Sequence, residues 1–237
     1  MRTLALLCLN ILLLGHSMDA QTTLAEELEA KSQYYADNAP KEVLEAFAQG
    51  IEDVRSLGLV ENAKNVGDAA PDGVLESAEG GQVRLSEQWA EGPVVLVFYR
   101  GGWCPYCNLQ LRALERSLKQ IEGAGARLVA VAPEKPERVA ETAANNELSF
   151  LALSDPDNSL ARSFGIVFTL PDVIRPLYEQ MIGLSSYNGN DKDELPLAAT
   201  YVIDQRGVIR WVFLEANYKK RAEPSEVVAA VSALGGE

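Results

Sequence analysis

A continuous apolar run, Val94-Val95-Leu96-Val97-Phe98-Tyr99, leads through Arg100-Gly101-Gly102-Trp103 into two cysteines, Cys104 and Cys107, spaced C-x-x-C. A β-branched stretch with no polar residue suits a central strand covered on both faces. The residues from Cys107 to Glu122 read as a helix. Leu111, Leu114, Leu118 and Ile121 form its apolar stripe, at the spacing that buries one face. Gly123 and Gly125 end it. The thiols therefore stand where a buried strand hands the chain to an amphipathic helix.

The alternation continues downstream. Arg127 to Val131 reads as a second buried strand, Pro136 to Asn145 as a helix, Phe150 to Leu153 as a strand and Asn158 to Phe164 as a short helix. A β-α-β-α-β order implies a parallel sheet with helices on its faces. Leu170 to Leu195 breaks the rhythm with a helix and a polar loop at Asn188-Gly189-Asn190. Thr200 to Ile203 and Val208 to Leu214 form a hairpin across Asp204-Gln205-Arg206-Gly207. Pro224 to Leu234 is a closing helix with proline in its first turn. Upstream, Leu75 to Leu85 reads as a small hairpin around Gly80-Gly81. Residues 24–57 read as two helical pieces broken near Asn38-Ala39-Pro40, with Val43, Phe47, Ile51 and Val54 at helical spacing. We expect this extension to pack on the main domain.

The start of the chain reads as a secretory signal peptide over residues 1–20. Arg2 is followed by an apolar run from Leu4 to Leu14 and by small and polar residues up to Ala20. The expected product is exported, periplasmic or extracellular. Cleavage would remove Cys8 and His16, the only histidine, leaving Cys104 and Cys107 as the sole thiols. That excludes histidine-based triads, histidine-containing metal sites and a four-cysteine metal site. The net charge of −13 disfavours nucleic acid as a partner, since phosphate binding needs a basic face. Lys219-Lys220-Arg221 is the one basic cluster.

Unpaired N–H groups and partial positive charge at a helix start stabilise a thiolate. Two intervening residues bring the second sulfur within bonding distance of the first, so Cys104 and Cys107 can form a disulfide and exchange it with substrates. A disulfide closing so short a loop adds little entropic stability, which argues for redox use over a structural one. Around the pair, Arg100 is a candidate to steady a thiolate, and Trp103 and Tyr106 are candidates for the pocket rim. Tyr218 and Arg221 are read as solvated surface, with an approach to the site as the alternative. Asp155 and Asp204 are read as turn caps.

The stretch Val66-Gly67-Asp68-Ala69-Ala70-Pro71-Asp72, with Phe98-Tyr99-Arg100-Gly101-Gly102-Trp103-Cys104-Pro105-Tyr106-Cys107, resembles the peroxiredoxin-like branch of the alkyl hydroperoxide reductase/thiol-specific antioxidant family over about residues 66–235. The resemblance implies an α/β thioredoxin-like fold, a three-layer α/β/α sandwich. Residues 66–237 would form that domain and residues 21–65 the helical extension. It also implies an antioxidant oxidoreductase that reduces a hydroperoxide at the expense of a thioredoxin-like or other thiol reductant, without cofactor or metal. In the family pattern P-x-x-x-T-x-x-C, Cys107 takes the peroxidatic position, Arg100 replaces the proline and Cys104 the threonine. Cys-Pro-Tyr-Cys is also similar to the glutaredoxin tetrapeptide, and the thioredoxin rule would make Cys104 the attacker. Ala198 stands where thioredoxins carry a cis-proline, with Pro196 two residues away. Three readings follow: a thiol peroxidase, a protein disulfide oxidoreductase without peroxide preference, and a binding domain with a structural disulfide.

Overall fold

The computed structural model describes residues 22–235. The expected signal peptide, with Cys8 and His16, lies outside them. The apolar run forms β3 (Val94–Phe98), buried at every position. It pairs in parallel with β4 (Arg127–Ala132), which pairs in parallel with β5 (Leu151–Ser154). On its other side β3 pairs antiparallel with β8 (Ala199–Ile203), and β8 with β9 (Ile209–Leu214). The early hairpin, β1 (Val74–Ser77) and β2 (Gln82–Arg84), adds to β5 antiparallel. The seven strands stand in the order β2-β1-β5-β4-β3-β8-β9, so the expected parallel centre is flanked by antiparallel edges.

Strand alternation sends β3 side chains to opposite faces. Val94, Leu96 and Phe98 share one core with Trp89, Leu160, Tyr178 and Val54. These four come from α4 (Leu85–Ala90), α7 (Ser159–Ser163), α8 (Arg175–Ile182) and α2 (Lys41–Ser56). Val95 and Val97 face α5 (Pro105–Gly123) and α10 (Pro224–Leu234) through Leu114, Leu118, Ile121, Val227 and Val231. Further along that face, Tyr99, Ala130 and Ala132 pack with Val139 of α6 (Pro136–Asn145) and with Leu24 and Leu28 of α1 (Leu24–Asn38). The result is the expected three-layer sandwich, with the N-terminal helices packed on both faces.

Several elements were not foreseen. Two short helices, α3 (Leu59–Asn62) and α4, carry no signal of their own. The segment after α7 holds a two-stranded ladder, β6 (Val167–Thr169) with β7 (Glu194–Pro196), too short for alternation to register. The expected single helix there is split into α8 and α9 (Leu184–Asn188) by Gly183, whose φ of +70 suits glycine. Helix α5 begins at Pro105 rather than Cys107, because proline fits the first helical position and makes Cys104 the N-cap.

Phe98 is fully buried and meets the rings of Phe164 (5.1 Å) and Tyr201 (6.1 Å) edge-on. Phe98→Ala is expected to cost about 3–5 kcal/mol, read as a lower urea midpoint at an unchanged slope.

Candidate active site

Three residues separate the end of β3 from the N-cap of α5 beyond Tyr99 and Arg100, and they turn sharply. Gly101 has φ +146, a conformation that side chains rarely adopt, and its carbonyl accepts the Cys104 N–H at 3.0 Å. Gly102 is pinned from several sides. Its N–H donates to Glu134 Oε2 at 3.0 Å and its carbonyl accepts from Asn108 Nδ2 at 2.8 Å. A Cβ on Gly102 would stand 2.0 Å from Thr142 Oγ1. This fixed turn delivers Cys104 to the helix N-cap and Cys107 one turn further in.

Both cysteines are reduced and buried, at 1% and 0% exposure. Arg221 Nη2 donates to Cys107 Sγ at 3.3 Å, and Arg100 Nη1 approaches Cys104 Sγ at 4.0 Å. The two guanidinium groups are themselves buried, 6% and 3% exposed. Neither forms an ion pair with a carboxylate among the described residues. A buried charge is costly unless an opposite charge faces it, so the sulfur pair is the anion that this site is built to hold.

The two thiols are pushed in opposite directions. Burial alone raises the Cys107 thiol. The hydrogen bond from Cys104, the Arg221 and Arg100 charges and the Arg100 backbone N–H outweigh it and leave Cys107 well below the ordinary thiol range. Burial and the anionic neighbour at Cys107 lift Cys104 well above that range, against the two arginines. The reading of the helix start as the place of the lowered thiol is thereby refined: Cys104 holds the N-cap, and the thiol held down is Cys107, one turn further in.

An aromatic shell holds the arginines. The Arg100 guanidinium lies 4.1 Å from the Tyr218 ring centroid, 5.2 Å from Trp103 and 5.4 Å from Tyr178. Arg221 is tied by the backbone carbonyls of Tyr218 and Lys220. Tyr106 lies inside, not on the rim. It is 3% exposed, its ring meets Tyr218 at 5.6 Å, and its hydroxyl lies 3.2 Å from Ser32 Oγ of α1. Trp103 is half-buried, edge-on to Tyr178 at 5.5 Å. An apolar pocket opens beside Arg100, walled by Phe47 and Ile51 of α2, Tyr178, Leu197 and Tyr218. Ala198 and Pro196 line it too.

Arg221 and Tyr218 therefore correct the sequence reading. Arg221 is buried against the Cys107 sulfur, and Tyr218 is half-buried with its ring under the Arg100 guanidinium. Arg221 reaches Cys107 across 114 positions of chain. Its membership of the one basic cluster was the only hint, because a cation kept against buried surface looks in sequence like one in water. Glu134, fully buried beneath the catalytic turn, gave no hint at all. Asp155 caps α7 through Ser159 Oγ and the Leu160 and Ala161 N–H groups, and Asp204 accepts from the Arg206 and Val208 N–H groups. Both serve turns.

Fold and site together define a thioredoxin-fold thiol oxidoreductase. Residues 66–212, more than half of the chain, match the model of the AhpC/TSA family. The chain is 32% identical to Peroxiredoxin Bcp of Escherichia coli over 106 residues, 44% of this chain and 67% of that protein. It is 27% identical over 149 residues to chloroplastic Peroxiredoxin Q of Populus jackii, covering 63% of this chain and 60% of that protein. Among solved structures, Peroxidoxin BcpB of Mycobacterium tuberculosis superposes with a TM-score of 0.57 at 21% identity, over 71% of this chain and 97% of that one. The chain belongs to the AhpC/TSA family.

Replacing Arg221 with alanine removes the nearest cation from Cys107. We expect the pH midpoint of Cys107 alkylation to rise by about 1–3 units, measured from iodoacetamide rates across pH with the modified residue located by mass spectrometry.

Proposed function

We propose that this protein is a thiol-dependent peroxidase in which Cys107 attacks the peroxide and Cys104 resolves the product. The observation that carries this reading is the pair of buried guanidinium groups facing the sulfurs, with Arg221 on Cys107. The Cys107 thiolate attacks one oxygen of the hydroperoxide. The O–O bond breaks, Cys107 becomes a sulfenic acid, and the alkoxide or hydroxide leaves and is protonated. The Cys104 sulfur then attacks the Cys107 sulfur, its thiol proton leaves with the displaced hydroxide as water, and the Cys104–Cys107 disulfide forms. A thioredoxin-like or other external dithiol reduces that bond by exchange.

Arg100 and Arg221 serve this sequence twice. They stabilise the thiolate before attack, and their positive charge suits the oxyanion that leaves. Arg100 both lines the apolar pocket and approaches the Cys104 sulfur, which supports the pocket as the approach for the peroxide. Burial of both sulfurs favours a small substrate over a protein disulfide, which separates this reading from a general disulfide oxidoreductase. Regeneration requires the cover formed by α1, with Ser32 and Tyr35 against Tyr106, to shift so that a reductant reaches one sulfur. The charged start, apolar run and small residues before Gln21 support export to a compartment outside the cytoplasm.

Cys107→Ser is expected to abolish oxidation by stoichiometric peroxide. Cys104→Ser should still consume one equivalent and accumulate a trappable sulfenic acid on Cys107, with thioredoxin-coupled turnover lost. Sulfenic acid found on Cys104 in the wild type, or undiminished turnover in the Cys107→Ser variant, contradicts the assignment. Insulin-disulfide reduction faster than peroxide reduction would favour the disulfide oxidoreductase.

A further inference from the structure

Behind the catalytic turn sits a carboxyl group that the steps above do not use. Glu134 follows the C-terminal end of β4 and is 0% exposed. One of its oxygens, Oε2, accepts the Gly102 N–H at 3.0 Å. The other, Oε1, has no hydrogen-bond partner and lies 2.9 Å from the point a Gly101 Cβ would occupy. The residue is anchored by its own backbone, whose carbonyl accepts from Ser154 Oγ at 2.5 Å. A buried carboxylate with one bare oxygen is costly as an anion, whereas a carboxylic acid with the same single acceptor contact is tolerated.

We propose that Glu134 is a positioning residue and a proton store for the dithiol: it holds the Gly101-Gly102 turn, keeps a proton while Cys107 is an anion, and releases it when Cys107 is oxidised. The inference rests on Cys107 being the thiolate of the proposed function.

Electrostatics ties the two groups together. From α5, the Cys107 charge opposes ionisation of Glu134; just beyond β3, the Tyr99 hydroxyl feels the Glu134 charge. From α6, Arg138 favours the carboxylate and Glu141 opposes it, the two being paired with each other at 2.7 Å. Asp155, beyond the end of β5, directs its carboxylate into the α7 cap. Burial is the largest influence and places the Glu134 carboxyl at about 7, against the lowering effect of the Gly102 N–H. Oxidation neutralises Cys107 and removes one of the influences that hold the proton on. Gly102, Arg138, Glu141 and Thr142 also line a polar cleft of about 180 Å³ that neither Arg100 nor Arg221 lines. Gly102 thus stands between that cleft and the carboxyl, lining the one and donating to the other.

The proton balance follows. With hydrogen peroxide, Cys107 thiolate breaks the O–O bond and releases hydroxide, which needs one proton to become water. Cys104 then displaces the second hydroxide and supplies its own thiol proton. One proton is therefore consumed per disulfide, and Glu134 provides it by passing from acid to carboxylate. Overall, one thiolate, one thiol, one hydrogen peroxide and one carboxylic acid give one disulfide, two waters and one carboxylate.

The test is proton uptake from weakly buffered solution just below pH 7, during oxidation of the reduced full chain by stoichiometric hydrogen peroxide. Glu134→Gln keeps an acceptor for Gly102 N–H but holds no exchangeable proton, so it should take up about one proton per disulfide from solution. The wild type should take up markedly less. Equal uptake of about one proton by both overturns the proton store and leaves the Cys107 thiolate standing. No uptake by Glu134→Gln shows that Cys107 was a thiol, and overturns both. Infrared difference spectra of the wild type give a readout independent of the variant's folding. Loss of a carboxylic acid C=O band on oxidation is expected, and an unchanged carboxyl region refutes the proposal.

Discussion

The site depends on placing two guanidinium groups out of water, against a pair of sulfurs and without a carboxylate between them. Burying an arginine is tolerable only where something anionic or π-rich receives it. Here Tyr218, Trp103 and Tyr178 take the faces of Arg100, backbone carbonyls take the Arg221 edge, and the sulfur pair takes the charge. That arrangement divides two chemically identical thiols into unlike partners. Burial and the neighbouring sulfur push Cys104 up, while the Cys104 hydrogen bond and the two arginines hold Cys107 down, and the proposed division of attacking and resolving sulfurs rests on that asymmetry.

The fold supplies this arrangement through a few fixed points. A fully buried β3 ends in a turn that only glycine can take at Gly101 and that Thr142 and Glu134 clamp at Gly102. Proline at the first position of α5 then fixes where the helix begins. The C-terminal segment folds back so that Arg221 reaches Cys107 just before α10 starts. The N-terminal helices complete the enclosure: α1 lies along α5 over Tyr106, and α2 walls the apolar pocket beside Arg100. The extension is thus part of the site and not an appendage.

Much of the scaffold was legible in the sequence because it is written in local patterns. The unbroken apolar run of β3, the stripe on α5 and the Gly and Pro punctuation around α6 and α10 each determine their own element. Cys104 and Cys107 announced themselves by spacing. What stayed hidden was long-range or too short to be periodic. The three-residue strands β6 and β7 fall below the length at which alternation registers. Arg221 and Glu134 are charged residues whose sequence surroundings match those of solvated ones, and only the fold buries them. The order of the two cysteines was likewise undecidable from spacing, since two family patterns gave opposite answers. The contact of Arg221 with the Cys107 sulfur supports Cys107 as the attacker in the proposed function.

The most direct test of this division is to count thiolates in the reduced wild-type chain by ultraviolet absorbance across pH. The account predicts that one sulfur per chain is ionised at neutral pH, that it is Cys107, and that Cys104 ionises only above the ordinary thiol range of about 8.5. Two thiols titrating together at or above that range, or a neutral-pH thiolate located on Cys104, would contradict it.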